Sequence, residues 1–198
     1  MLLCVCLVGV FLLGGCVKES VLVDRKALAD GGKFIVLPLS DAPGEQADGS
    51  GGVVTGAIAA QMLQEPNVKL FDVGSAKLKK ALEESGFDAM DISDPAVAAE
   101  LARKLGAQFV VTGEVMHYAP EKQASAGALW IFQGGGTTSR YWVCLHLRIV
   151  QASNGKIVYA GEGTAVSQEG YAPAAEQACE QAFKQLDNIL RGKNQYGL

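Results

Sequence analysis

The stretch Gln108-Phe109-Val110-Val111-Thr112-Gly113-Glu114-Val115 decides the fold. It is mostly apolar and alternates too weakly for a strand with one wet face, so it reads as an interior strand. Directly before it lies the clearest helix in the chain. Asp94 serves as its N-cap and Pro95 fits the first helical position, where a missing N–H costs nothing. Val97, Leu101 and Leu105 make one apolar stripe, and Gly106 supplies a left-handed residue that ends the helix.

Upstream, Phe34-Ile35-Val36-Leu37-Pro38-Leu39 is a short β-branched run suited to a buried central strand, with Pro38 at its end, where no ladder donor is missed. A loop over residues 40–52, rich in Asp, Gly, Ser and Pro, follows. Val54, Ile58 and Met62 then recur at helical spacing. Residues 68–73 read as a strand after the turn at Pro66-Asn67, and Ser75 caps a second helix with Leu78 and Leu82 facing the core and Gly86 ending it. Downstream, Tyr141, Val143, Leu145, Leu147 and Ile149 alternate with Arg140, Trp142, Cys144, His146 and Arg148, a long strand with one core face and one mixed face. Ser153-Asn154-Gly155-Lys156 is a hairpin turn, with Asn-Gly supplying positive φ, and residues 157–166 return as the partner strand. A last helix over residues 173–190 carries Cys179, Ala182, Phe183, Leu186, Ile189 and Leu190 on one side. The order β-α-β-α-α-β-β-β-α implies a single α/β domain over residues 33–190, a mixed sheet of about five strands with helices packed on it. Residues 191–198 form a C-terminal tail.

The N-terminal end has a different character. Residues 2–13 are uninterruptedly apolar and lead into Gly14-Gly15-Cys16, the layout of an export signal and its cleavage site. A membrane-spanning helix needs about 20 apolar residues, and this run stops short of that at Lys18 and Glu19. Leu13-Gly14-Gly15-Cys16 resembles a lipobox, in which the cysteine sulfur takes a diacylglycerol and the freed amine a further acyl chain such as palmitate. Residues 1–15 are thus expected to be a lipoprotein signal peptide. Residues 16–32 would form the lipidated N-terminus and a tether, with Cys16 in the membrane. No Lys or Arg precedes the apolar run, although export signals open on positive charge, which points to a translation start upstream of Met1.

Composition removes several functions. The net charge is −4 and the isoelectric point near 5.2, so there is no phosphate-tracking surface and no nucleic-acid partner is expected. The basic cluster Lys77-Leu78-Lys79-Lys80 sits beside Glu83-Glu84 and reads as a solvated helix face. Of five cysteines, Cys4 and Cys6 leave with the signal and Cys16 is lipidated, which leaves Cys144 and Cys179 as two buried thiols or one disulfide. General base catalysis at neutral pH favours histidine, and only His117 and His146 are present. Cys144 and His146 lie two apart on one strand face, yet a zinc site wants three or four ligands and no others converge by sequence. Gly134-Gly135-Gly136 lacks the Lys and Ser/Thr of a phosphate loop. No catalytic residue, metal, cofactor or small-molecule substrate is evident, and the chain is expected not to be an enzyme.

Three segments carry a family resemblance: Phe34-Ile35-Val36-Leu37-Pro38-Leu39-Ser40, the helix-to-strand join from Ala98 to Val115, and the hairpin from Leu145 to Val158. Over residues 33–190 the chain resembles the CsgG-like outer-membrane lipoproteins, a superfamily that includes the curli assembly and transport subunit and periplasmic relatives serving flagella or cell-wall synthases. The resemblance implies fold, membrane anchorage and assembly into homo-oligomers or with an envelope protein. The curli channel subunit inserts two hairpins per protomer. Here residues 119–142 occupy the place of the first, but residues 167–172 are too few for a second, since a spanning strand alone takes about 9 to 11 residues. The expected role is therefore a lipid-anchored periplasmic interaction module, with a curli-type channel subunit as the alternative. Val17 after the lipidated cysteine favours the outer membrane. Within residues 121–139, either an ordered loop or an extended hairpin, Leu129, Trp130, Ile131 and Phe132 form an apolar run next to three glycines. Such a run marks a contact surface or folds back to cap the sheet.

Overall fold

The computed structural model describes residues 22–44, 47–70, 76–87, 91–123 and 138–191. The five expected strands are all present. β2 (Gly32–Val36) lies parallel to β3 (Val68–Leu70) on one side and to β4 (Phe109–Gln123) on the other. β4 then pairs antiparallel with β5 (Thr138–Gln151), and β5 with β6 (Ile157–Ser167), giving a mixed sheet. The helices are α2 (Ser50–Leu63), α3 (Ala76–Ser85), α4 (Pro95–Leu105) and α5 (Tyr171–Leu190).

The expected tether needs correction. β1 (Leu22–Val23) adds a sixth strand against Ala160 and Tyr159 of β6, and α1 (Arg25–Leu28) follows it. Asp24 accepts a hydrogen bond from the Ala27 amide and an ion pair from Lys156 at 2.7 Å, and Leu28 is fully buried. The folded unit therefore begins at or before Leu22, ten residues ahead of Gly32. A two-residue strand and a one-turn helix carry too little periodicity to show in sequence.

Each face of the sheet has its own core. α2 and α5 cover one face, where Phe34, Val111, Leu145, Leu147 and Ile149 meet Val54, Ile58, Phe183 and Leu186. α3 and α4 cover part of the other, over Ile35, Leu37, Val110 and Val150. α4 is capped as its sequence demands: the Asp94 carboxylate accepts from the Ala96 amide at 2.7 Å, and Gly106 closes the helix at φ +72°. Its buried side is Ala98, Ala99, Leu101 and Ala102, rotated from the expected Val97 stripe, because three alanines let the helix approach the sheet closely. α2 has no side-chain cap of its own. Asp41 supplies one from the preceding loop, accepting from the amides of Gly51 at 2.6 Å and Gly49 at 3.0 Å. Ser75, the expected cap of α3, lies outside the described residues.

The turn between β5 and β6 also differs from expectation. Only Gly155 takes a positive φ (+69°), and no residue other than glycine does so anywhere among the described residues. The Gly155 amide closes back on the Gln151 carbonyl at 2.9 Å, and Asn154 instead accepts from the Lys156 amide through its side chain. The loop holds four residues, 152–155, between Gln151 and Lys156 rather than two, and its asparagine works by hydrogen bonding.

Candidate interaction surface

β4 and β5 outrun the helices that cover them. On the α5 side Val115, Val143, Leu145 and Leu147 remain buried. On the other side the covering layer stops at Thr112, whose hydroxyl donates to the Ile92 carbonyl at 2.9 Å in the short 3-10 turn Asp91–Ser93. Beyond that point no described helix covers the face. Glu114 and His117 of β4, Trp142, Cys144, His146 and Arg148 of β5, and Glu162, Thr164 and Val166 of β6 make up the open half. This is the mixed face foreseen for residues 140–149.

Its register sets which side chains meet. Trp142 stands directly opposite Val166, and both are over a third exposed, at 37% and 39%. The His117 ring lies 4.1 Å from the indole. Glu114 has Arg148 at 3.7 Å and the His146 ring at 3.9 Å. A bulge between Val115 and His117 leaves Met116 exposed. On the α5 side, Tyr171 stacks on Tyr118 at 3.9 Å and meets Tyr141 edge-on at 4.8 Å. Aromatic contacts therefore grip both arms of the β4–β5 hairpin where it leaves the core.

From there the arms stay paired as far as Gln123 opposite Thr138. An extended hairpin is thus the form taken up to these residues. Leu129, Trp130, Ile131 and Phe132 lie outside the described residues, as does the expected lipidation site Cys16.

The chemistry of the face is that of contact. The Cys144 thiol donates to the Glu162 carboxylate at 3.8 Å and accepts from Thr164 at 3.3 Å. Burial first, and then the Glu162 charge, raise its pKa against the Thr164 hydrogen bond, the opposite of what a nucleophilic thiolate requires. His146 Nδ1 lies 3.9 Å from the Glu114 carboxylate, and the hydrogen-bond partners of the Cys144 thiol are Glu162 and Thr164. Cys179 sits in the core on the α5 side, with its thiol pushed up to about 12 by burial, and both cysteines are free thiols. Among the described residues no group of three or more His, Cys, Asp or Glu is placed to hold a metal, and no helix is long and apolar enough to cross a membrane.

One polar cluster gave no signal in the sequence. Glu65, whose side chain is 4% exposed, receives Arg191 at 3.2 Å, and Arg191 also pairs with Asp187. Burial and then the Asp187 carboxylate push the Glu65 pKa up, against the pull of Arg191. The partners lie 126 residues apart, a distance no local pattern reports.

Comparison with solved structures agrees with this architecture. The chain is similar to the PelC dodecamer from Paraburkholderia phytofirmans, at 18% identity and a TM-score of 0.54, over 85% of this chain and 97% of that one. It is also similar to lipoprotein GNA1162 from Neisseria meningitidis, at 20% identity and a TM-score of 0.52, over 79% and 98%. At these identities the likeness is one of fold. No curated protein sequence matches the chain. The family model described as curli production assembly/transport component CsgG matches residues 75–183, just over half the chain, and the protein therefore belongs to the CsgG family.

Proposed function

We propose that this protein is a non-enzymatic assembly or interaction module of the bacterial cell envelope. It is anchored in the outer membrane through lipid on Cys16, with its domain in the periplasm, and packs against copies of itself or docks on another envelope protein. The observation that carries this reading is the half of the sheet face that no described helix covers, bearing Trp142 and Val166 in a member of the CsgG family. Large aromatic side chains on uncovered surface are the usual anchors of protein interfaces. The absence of activation at Cys144 and the dodecamer named for the structural relative PelC support the same reading. Leu129, Trp130, Ile131 and Phe132 are proposed as further contact residues on the same hairpin.

The hairpin length keeps a curli-type channel subunit as the second reading, since β4 and β5 remain paired well past the core. Against it, β6 ends at Ser167 and α5 starts at Tyr171, which leaves no length for a second spanning hairpin. Voltage-dependent conductance of purified protein in planar bilayers would favour the channel.

The anchoring half of the proposal has its own test. Intact mass of the chain from the membrane fraction should correspond to a start at acylated Cys16, and Cys16→Ala should move the protein out of the outer-membrane fraction. An unmodified Cys16, or a peak in the inner membrane, would overturn it.

A further inference from the structure

α2 presents a second surface that is exposed among the described residues, on the β2–β3 side of the sheet. From Ser50 to Leu63 it carries no charged residue, whereas a helix with one side in water ordinarily bears charge there, and a helix apolar all round is ordinarily buried. Its inner side is spent on the core through Val54, Ile58 and Met62. Its outer side exposes Gly52, Val53, Gly56, Ala60 and Leu63, with Leu63 at 69%. A methyl group added at Gly52 or Gly56 would touch nothing within 4 Å. Between α2 and α3, across the end of β2, Gly52 and Gly56 open onto a largely apolar groove of about 550 Å³, lined also by Pro38, Ala59, Leu78 and Leu82.

We propose that this groove receives the Trp142–Val166 ridge of a second copy of the chain. The inference rests on the self-association proposed above and names its two faces. Shape and polarity agree: the ridge is an indole beside a branched aliphatic, and two exposed glycines on the α2 side of the groove leave open space for an aromatic ring. Charge agrees as well. Lys79 lines the groove, and among the described residues its one ion pair is a 4.0 Å contact with Glu83, both side chains being largely exposed. On the ridge side Glu162 is exposed, and among the described residues no lysine or arginine pairs with it. One basic side chain at the groove, Lys79, thus meets one acidic side chain beside the ridge, Glu162.

The placement of the two faces sets the kind of assembly. The groove lies at the β2–β3 end of the sheet, while the ridge lies on β5 and β6 toward the other edge. A patch that fits a different patch on the next copy gives a head-to-tail contact, which closes into a ring when the rotation permits.

The test uses the full-length chain in mild detergent, with mass measured for wild type and for two variants, Gly56→Arg and Trp142→Arg. Each variant spoils one face only. Each alone should fall to the mass of one chain with its thermal midpoint within a few degrees of wild type, and an equimolar mixture should recover a dimer, because each partner keeps one intact face. Should either variant fail to fold, Gly52→Arg and Val166→Arg probe the same faces. A wild-type oligomer that survives either change, or a mixture that stays monomeric, overturns the groove-and-ridge contact and leaves self-association standing. A wild type that is itself monomeric overturns both.

Discussion

At the scale of single residues, titration separates Asp41 from Glu65. The amides of Gly51 and Gly49 hold the Asp41 carboxyl below the usual carboxylate range. Its contribution to stability is present at neutral pH and fades as pH falls through that lowered value, so Asp41→Ala should lower the thermal midpoint at pH 7 and converge on wild type in acid. Glu65 has the opposite sign. Its raised pKa makes the folded state favour the proton, so stability falls as pH rises through that value. Glu65→Gln should therefore raise the midpoint at pH 7 and leave it unchanged well below the carboxylate range, as read by thermal melts across pH. The thiols offer a separate check. At pH 8 iodoacetamide should leave Cys179 untouched in the folded chain and modify Cys144 slowly, with both reacting fully in denaturant. Rapid native alkylation of Cys144 would revive a thiol-based activity.

At the scale of elements, the strongest local constraint is how closely α5 lies on β6. A methyl at Gly163 would overlap the Ala178 carbonyl, and one at Gly161 the Ala182 carbonyl, to which the buried Tyr159 hydroxyl already donates. Gly163→Ala should cost about 2 kcal/mol by forcing the helix off the sheet, measured by urea denaturation, whereas at Gly155 an added methyl meets open space and strains only the local backbone. Asp94→Ala should cost about 1 kcal/mol through the lost α4 cap. The elements that could be read from sequence are those with a chemical signature of their own. Asp94-Pro95 and Gly106 mark both ends of α4, and the alternation from Arg140 to Ile149 foretells the open mixed face. Those that could not be read borrow their stability from afar. β1 exists because β6 offers it an edge, and α2 is capped by an aspartate nine residues ahead of Ser50. At Asn154 the residue type was right for a turn, but a wider loop satisfied the backbone without a positive φ there.

At the scale of the molecule, the two sides of the sheet are covered unequally. α2 and α5 cover one face as far as the Tyr118–Tyr171 stack, while α3 and α4 cover only the part of the other near β2, and this imbalance leaves the Trp142 face without a described helix. The sequence disclosed the mixed pattern of β5 but not where the covering helices stop, because that depends on the packing of α4 rather than on β5 itself. The α2–α3 groove was equally hidden, since Val54, Ile58 and Met62 announce a core side and say nothing of the outer one. Trp130→Ser with Phe132→Ser should dissolve the assembly with the thermal midpoint nearly unchanged if those residues are contacts, and lower the midpoint if they cap the sheet. The most direct measurement of the central claim is the mass of the wild-type chain extracted from membranes in mild detergent. A discrete oligomer, or a stable complex with another envelope protein, is the expected result. A single unpartnered chain at every concentration would contradict the account.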